Sequence, residues 1–209
     1  MTTVFVVRHG ATDWNLEKRA QGQADIELNE EGRTQALKTA KELAEEPITA
    51  VYSSDLKRAV HTAHPIAEPR GLEIVADARF REIDQGDWEG LTTDEIRDRW
   101  PTLWGPHRHY SARPGGESPQ QVRARALAGL KDAVAANPDG TIVLVSHGGT
   151  IRWIVAEAFG YDDKRSARLR GIGNGAVVRM DAVVRNGHLE LSNFSRLDGN
   201  TPDLDDPND

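Results

Sequence analysis

The 209-residue sequence contains no cysteine, which excludes disulfide bonds, zinc sites with thiolate ligands and cysteine nucleophiles. Long apolar runs are also missing, because no segment approaches the roughly 20 apolar residues of a membrane-spanning helix. The first apolar run, Val4–Val7, is short and ends in charge, unlike a signal peptide. These absences predict a cytoplasmic protein.

The chain also lacks an excess of positive charge. It has 26 lysine and arginine residues against 33 aspartate and glutamate residues, for a formal net charge of −7. This balance disfavours binding to nucleic acid or to an anionic membrane, and no basic stripe or aromatic platform for nucleic acid stands outside residues 101–117. We therefore expect neither partner, and both a monomer and a homodimer remain open.

Strand-like and helix-like segments alternate along the chain. Short β-branched runs predict buried strands, and apolar residues at helical spacing between them predict helices on both faces of a sheet. This alternation is typical of an α/β protein with a three-layer α/β/α sandwich and a mostly parallel sheet. A closing hairpin around Asn186-Gly187 makes the sheet mixed. The predicted strands are Val4–Val7, Ile48–Tyr52, Leu72–Val75, Thr141–Val145, Ala176–Ala182 and Leu189–Phe194.

Individual residues predict where the helices begin and end. Asn29 and Asp55 are expected N-caps, and Pro65 should kink or shorten the helix that follows Asp55. Ser118 is a strong helix start, because a proline follows it and a glutamine stands three positions on. Residues 14–25 are expected to form a loop.

The length suits one domain. We predict that residues 1–197 form it, with a lid at about residues 100–117, where aromatic and basic residues are mixed in an irregular segment. Residues 198–209 are polar and acidic, so they are expected to form a disordered tail.

Two buried strands end in similar polar sequences. The first ends in Arg8-His9-Gly10 and another ends in Ser146-His147-Gly148-Gly149, while Arg58 lies on the first turn of the helix after a third strand. Open α/β sheets bind ligands at the carboxyl ends of their strands, so these side chains are expected to share one pocket. Two guanidinium groups and two imidazoles would repel one another unless an anion lay between them. A tetrahedral phosphoryl group matches this demand.

Such a pocket can transfer a phosphoryl group without a metal ion or cofactor. One imidazole attacks phosphorus in line, and the arginines and the second imidazole neutralise the charge on the phosphoryl oxygens. Glu82, in a charged loop bounded by glycine, is the candidate for the general acid, and Asp84 and Asp87 are alternatives. His107 and His109 have the spacing of a metal pair, but no third ligand is evident, so no metal site is predicted.

Four sequence blocks together resemble the histidine phosphatase superfamily, also called the phosphoglycerate mutase-like family. The blocks stand in the family's order: Arg8-His9-Gly10 with Thr12, Trp14 and Asn15; Ser54–Ala59 with Thr62-Ala63; Glu82 before Gly86–Gly90; and Ser146–Gly149. The resemblance covers about residues 4–180. It implies a mixed sheet of about six strands with a lid over its carboxyl edge.

The resemblance also implies a role for each matching residue. His9 becomes the nucleophile, and Glu82 becomes the proton donor. The implied phosphate site consists of Arg8, Asn15, Gln21, Gly22, Arg58, His147 and Gly148.

Within this family the compact chain favours a phosphatase over a mutase. The resemblance implies that a cofactor-dependent phosphoglycerate mutase would be a longer chain with an extended basic insertion in its lid. Residues 101–117 are too short for such an insertion. The chain is similar to the broad-specificity, α-ribazole and glucosyl-3-phosphoglycerate phosphatases of the family. We therefore expect a metal-independent phosphomonoesterase that acts on small phosphorylated metabolites through a phosphohistidine. A mutase and a catalytically silent phospho-ligand binder are the alternatives.

Overall fold

A computed structural model describes residues 1–103, 111–169 and 171–197, without the side chains of residues 167 and 168. Part of the predicted lid, including His107 and His109, and the whole predicted acidic tail lie outside the described residues.

The core of the protein is one six-stranded sheet in the order β3-β2-β4-β1-β5-β6. The first four strands in this order are parallel to one another, whereas β5 runs antiparallel to β1 and β6 runs antiparallel to β5. The mixed, mostly parallel sheet predicted from the sequence is therefore confirmed. The strands are β1 (Thr2–Arg8), β2 (Ala50–Ser53), β3 (Ile74–Ala76), β4 (Thr141–Ser146), β5 (Val177–Arg185) and β6 (His188–Arg196).

Helices cover both faces of the sheet. The central strands carry apolar side chains on both faces, so each face is buried against helices. Phe5 and Val7 of β1 pack with apolar residues of two helices, including Ala63 and Ile66. Val4 and Val6 pack on the opposite face with residues such as Leu130 and Ile154 of two other helices. The helices are α1 (Asp13–Leu16), α2 (Glu30–Glu42), α3 (Lys57–Ala67), α4 (Thr93–Arg99), α5 (Pro119–Ala136), α6 (Gly148–Ala158) and α7 (Asp163–Arg168).

The predicted helix start at Ser118 is confirmed, and so is the Asn29 cap of α2. Ser118 accepts a hydrogen bond from the backbone N–H of Gln121, whose side chain in turn accepts from the backbone N–H of Ser118. Asn29 accepts from the backbone N–H of Gly32. Both caps use contacts within one turn of chain, which is why the sequence alone predicts them.

The predicted Asp55 cap is wrong, and so is the prediction that residues 14–25 are entirely loop. Arg81 donates to both carboxylate oxygens of Asp55, at 2.7 and 2.6 Å. The Asp55 side chain therefore does not cap the N-terminus of α3. The first backbone N–H of α3, on Lys57, instead donates to Asp25 Oδ1 at 2.7 Å. The helix also continues past Pro65 to Ala67. Within residues 14–25, the four-residue helix α1 forms behind a Thr12 cap.

Candidate active site

The two strands that carry the histidines are neighbours in the sheet. β1 pairs in parallel with β4, with Arg8 opposite Ser146, so His9 and His147 follow at the same edge. The two imidazole rings lie with centroids 5.1 Å apart and planes inclined at 57°. Both side chains are almost fully buried.

A hydrogen bond sets the tautomer of His9. Its Nδ1 lies 2.6 Å from the carbonyl oxygen of Gly10, which can only accept, so Nδ1 carries the proton. The Nε2 lone pair is consequently available. Burial, followed by the charges of Arg58 and Arg8, holds the pKa of His9 well below its ordinary value. The ring is therefore neutral near pH 7, as a nucleophile must be.

The opposite tautomer is set at His147. The Nε of Arg58 donates to His147 Nδ1 at 3.2 Å, so the neutral ring carries its proton on Nε2. Burial, and then the charges of Arg58 and neighbouring cationic groups, hold the pKa of His147 well below its ordinary value. Its Nε2 is buried and has no hydrogen-bond partner among the described residues. One imidazole thus offers a lone pair, and the other offers a donor.

The guanidinium group of Arg58 is fully buried. It donates to the carbonyl oxygens of Ala24 at 2.6 Å and Gly22 at 2.8 Å, in addition to His147. Burial lowers the pKa of Arg58 to about 10, against the opposing effect of Glu82, so the group stays cationic at neutral pH. Arg58 therefore fixes both the loop between α1 and α2 and the tautomer of His147.

Arg8 stands at the end of β1 beside these groups. Its Nη1 donates to the carbonyl oxygen of Ile172 at 2.6 Å, whereas its Nε is buried and has no hydrogen-bond partner in the described part of the chain. Burial lowers the pKa of Arg8, and the Glu82 carboxylate opposes that effect. Gly148 lies against this side chain, because a Cβ at residue 148 would be 3.3 Å from Arg8 Nε.

Gln21 and Gly22 lie in the loop that Arg58 holds. Gln21 is 8% exposed, and its Oε1 is buried without a hydrogen-bond partner among the residues described. Gly22 has a φ of +51°, a region that favours glycine. Asn15 is predicted to bind phosphate, but its side-chain oxygen already has another partner. The Oδ1 atom accepts a hydrogen bond from the backbone N–H of Thr12 and completes the N-terminal cap of α1. Its Nδ2 group is what remains for a ligand.

Glu82 is fixed at the N-terminus of the helix that follows His147. Its Oε2 accepts from the backbone N–H of Gly149 at 3.0 Å, and its Oε1 accepts from its neighbour Ile83 at 2.9 Å. A helix N-terminus attracts a carboxylate. The proximity of Glu82 to the cationic pair is also evident from its effect on the pKa values of Arg8 and Arg58.

Asp84 and Asp87, the two alternative general acids, make contacts within the loop regions around them rather than with the histidines. Asp84 Oδ1 accepts from the backbone N–H of Gly86 at 2.8 Å. The Asp87 side chain lies near Gly115, on an exposed part of the same loop. Glu82 is thus the carboxylate held beside the two histidine-bearing strands.

Sequence reasoning missed two residues, Thr62 and Asn174, that fix the backbone of the His9–Gly10 segment. Thr62 Oγ1 accepts from the backbone N–H of Gly10 at 3.0 Å and donates to the carbonyl oxygen of Arg58 at 2.7 Å. Asn174 Nδ2 donates to the carbonyl oxygen of His9 at 3.0 Å. The sequence marks Thr62 only by its place in a family block, and Asn174 lies in none of the four blocks.

Gly10 allows close packing next to His9. A Cβ on Gly10 would lie 2.3 Å from the carbonyl oxygen of Gly32, at the start of α2. The glycine therefore lets α2 pack directly against the segment that carries His9.

Comparison with known proteins identifies the family. Residues 4–195 match the family model described as histidine phosphatase superfamily, branch 1. The chain belongs to the histidine phosphatase superfamily. The resemblance that the four sequence blocks indicated is thereby confirmed.

Similar members of the superfamily include phosphatases and a mutase-like protein. Glucosyl-3-phosphoglycerate phosphatase of Mycobacterium tuberculosis is 38% identical over 188 residues, which cover 82% of this chain and 81% of that protein. Phosphoserine phosphatase 1 of Hydrogenobacter thermophilus is 35% identical and covers 78% of each chain. A probable phosphoglycerate mutase of an Enterobacter species is also 35% identical, over 87% of this chain and 85% of its own.

A solved structure of the mycobacterial glucosyl-3-phosphoglycerate phosphatase, in complex with VO3, agrees with this fold. Its TM-score is 0.83 at 34% sequence identity, over 93% of this chain and 96% of that chain. The phosphatases among these homologues support the phosphomonoesterase predicted from the sequence.

Two negative findings apply to the described part of the chain. None of its helices combines the length and the apolar character needed to cross a membrane. None of its groups of histidine, aspartate and glutamate side chains brings three or more together as metal ligands.

Proposed function

We propose that this member of the superfamily is a phosphomonoesterase in which His9 carries the phosphoryl group. The observation that supports this most directly is the opposite protonation of two buried imidazoles 5.1 Å apart. His9 Nε2 is a nucleophile, and His147 Nε2–H is a donor for the phosphoryl oxygens. Arg8 and Arg58 supply the positive charge that a phosphoryl group requires.

In the first step, a bond forms between His9 Nε2 and phosphorus as the ester P–O bond breaks. The leaving alkoxide takes a proton from the carboxyl group of Glu82. The hydrogen bond from His9 Nδ1 to the Gly10 carbonyl stabilises the positive charge that the ring gains. In the second step, water gives a proton to Glu82 and attacks phosphorus, the P–N bond breaks, and inorganic phosphate leaves.

The phosphate site in this proposal comprises the two arginines, His147 and the loop after α1. Four further residues lie next to the phosphoryl oxygens or contact them directly: Asn15, Gln21, Gly22 and Gly148. The substrates are small phosphorylated metabolites, and the names of the phosphatase relatives suggest glucosyl-3-phosphoglycerate and phosphoserine as first compounds to test. A lid at about residues 100–117 remains an expectation from the sequence.

The test is phosphate release from a panel of monoesters in the presence of a chelator. The panel holds p-nitrophenyl phosphate, 3-phosphoglycerate, phosphoserine, glucosyl-3-phosphoglycerate, α-ribazole phosphate, sugar phosphates and nucleotides. We expect turnover by the wild type and none by His9→Ala. His64→Ala, which changes an exposed histidine of α3 outside the site, is the matched control and should keep full activity. Turnover by His9→Ala would refute the covalent route.

A phosphoglycerate mutase is the second candidate, because one of the similar relatives is named as a probable enzyme of that kind. The two activities separate in an NMR assay of 3-phosphoglycerate with 2,3-bisphosphoglycerate present. Phosphate release faster than isomerisation supports the phosphatase, and the reverse order supports the mutase. Binding of phosphate without either reaction would indicate a silent ligand-binding protein.

The proposal keeps three expectations from the sequence. Residues 1–197 form one domain, the protein acts in the cytoplasm, and it is a monomer or a homodimer that binds neither nucleic acid nor membranes. Sedimentation and cell fractionation of the full-length protein test the last two.

A further inference from the structure

Arg125 makes an unusually complete set of contacts in the middle of α5. Its Nη1 donates to the carbonyl oxygens of Arg79 at 2.8 Å and Arg81 at 2.7 Å, and its Nη2 donates to that of Glu82 at 2.8 Å. Its Nε and Nη2 also grip the two carboxylate oxygens of Glu117, each at 2.8 Å. All five N–H donors of the guanidinium group are therefore used.

These contacts converge on the segment that carries Glu82. The side chains of Arg125 and Glu117 are only 18% and 21% exposed, so the pair is well shielded from solvent. Glu117 extends the same grip, because its Oε2 accepts from the backbone N–H of Asp84 at 2.9 Å and its own N–H donates to the Asp84 carbonyl at 3.0 Å. The backbone is thus held on both sides of Glu82.

The two ends of Glu82 are fixed by different parts of the fold. Its carboxylate is held by the backbone N–H groups of Ile83 and Gly149, while its own carbonyl is held by Arg125. A proton donor must lie within hydrogen-bond reach of the leaving oxygen. An error of about 1 Å in such a position can cost on the order of 100-fold in rate. Any displacement of the Glu82 backbone would also displace its carboxyl group.

We propose that Arg125 is a positioning residue for the proton donor Glu82, with Glu117 holding the guanidinium group in its plane. This inference rests on the proposed function of Glu82. Arg125 touches no reacting atom, and it acts by fixing the backbone from which the Glu82 carboxyl reaches the leaving group. Its own sequence position, in the interior of an amphipathic helix, gives no sign of such a role.

Arg125→Lys is the diagnostic variant, because it keeps the positive charge and loses the planar fork. A single ammonium group cannot serve three carbonyls and a bidentate carboxylate. Arg123→Lys is the matched control: Arg123 lies on the same helix, is 27% exposed and pairs with Glu157 on α6 at 2.6 Å. Both variants remove an arginine–carboxylate pair of α5, and only one of the pairs reaches Glu82.

The first readout is kcat/KM, which reports the step that phosphorylates His9, for an aryl and an alkyl ester. Proton donation matters little for p-nitrophenolate and greatly for an alkoxide such as that of 3-phosphoglycerate. We expect Arg125→Lys to lower kcat/KM by on the order of 10-fold or more for the alkyl ester and less than about threefold for the aryl ester. In the Glu82→Gln background, Arg125→Lys should cause no further loss on the alkyl ester. Arg123→Lys should change neither ester.

The second readout does not depend on turnover. The Gly149 N–H donates to the Glu82 carboxylate, so its amide resonance in a ¹⁵N–¹H correlation spectrum reports where that carboxylate lies. It should shift in Arg125→Lys, as in Glu82→Gln, and stay unchanged in Arg123→Lys.

Equal losses on the two esters, additive losses with Glu82→Gln, or an unmoved Gly149 resonance would overturn the role of Arg125. If Glu82→Gln itself shows no dependence on the leaving group, the proposed role of Glu82 fails. The Gly149 resonance then still decides whether Arg125 positions the Glu82 side chain.

Discussion

At the scale of single residues, one hydrogen bond decides what each active-site histidine can do. A carbonyl acceptor at Gly10 leaves the lone pair of His9 on Nε2, and a guanidinium donor at Arg58 leaves the proton of His147 on Nε2. The sequence places both imidazoles in one pocket and leaves open which of them attacks, until the family resemblance is considered. In the proposed mechanism His9 attacks, because of hydrogen-bond partners that are one position away for His9 and 89 positions away for His147.

Gly10 is a second residue whose role depends on a distant contact. Gly10→Ala would place a methyl group 2.3 Å from the Gly32 carbonyl oxygen, and two backbone segments cannot move apart as a side chain can. We expect a loss of about 1–3 kcal/mol in the free energy of unfolding, measured with urea. Gly173→Ala is the control, because a Cβ at residue 173 meets nothing within 4 Å. Equal stability of the two variants would contradict the packing argument.

At the scale of elements, α3 owes its position to the loop between α1 and α2. The cap comes from Asp25, and the carbonyl oxygens of Gly22 and Ala24 bind Arg58, which is the second residue of α3. The helix and the loop therefore form one unit around the Arg58 guanidinium group. Asp55, the nearer acidic residue, is held by Arg81 instead.

Asp25→Ala should weaken this unit. The variant removes the acceptor of the first backbone N–H of α3, which is expected to cost about 1 kcal/mol of unfolding free energy. Weaker phosphate binding should accompany it, because the same loop is bound to Arg58. Asp25→Asn keeps an acceptor oxygen and is expected to lose much less. Urea unfolding and calorimetric titration with inorganic phosphate measure the two effects, and an Ala variant as stable as the wild type would rule out the cap.

At the scale of the whole molecule, burial of the two histidines couples stability to pH. In the unfolded chain both imidazoles take up protons near pH 6.5, whereas in the folded protein their pKa values lie well below that. Below pH 6.5 the unfolded state therefore binds more protons, so stability is full above this pH and falls as the pH falls. For two such groups the loss between pH 7.5 and 5.5 is about 2–3 kcal/mol.

Urea unfolding at these two pH values, in buffers free of phosphate and sulfate, measures this loss. His147→Asn should remove about half of it, since one of the two buried imidazoles is gone. His64→Ala should leave it unchanged, because His64 is exposed. A wild-type stability independent of pH over this range would show that the buried histidines are not neutral.

The sequence by itself determined the layers, the strand ends and the family of this protein. Apolar periodicity, caps within one turn, and the polar residues after β1 and β4 are local patterns, and a local pattern can be read before the chain folds. The mixed sheet and the convergence of Arg8, His9 and His147 at one edge follow from these patterns and from the parallel pairing they predict.

The tertiary structure alone decided the contacts between residues far apart in the chain. The tautomer of His147, the Asp25 cap, the Gly10–Gly32 packing and the hold of Arg125 on the Glu82 segment each join residues that sequence spacing does not relate. The sequence shows a hydrogen-bond donor or a glycine in the same way whichever residue it contacts in the folded protein. Its partner is chosen only when the sheet, the helices and the loops at the carboxyl edge are packed together.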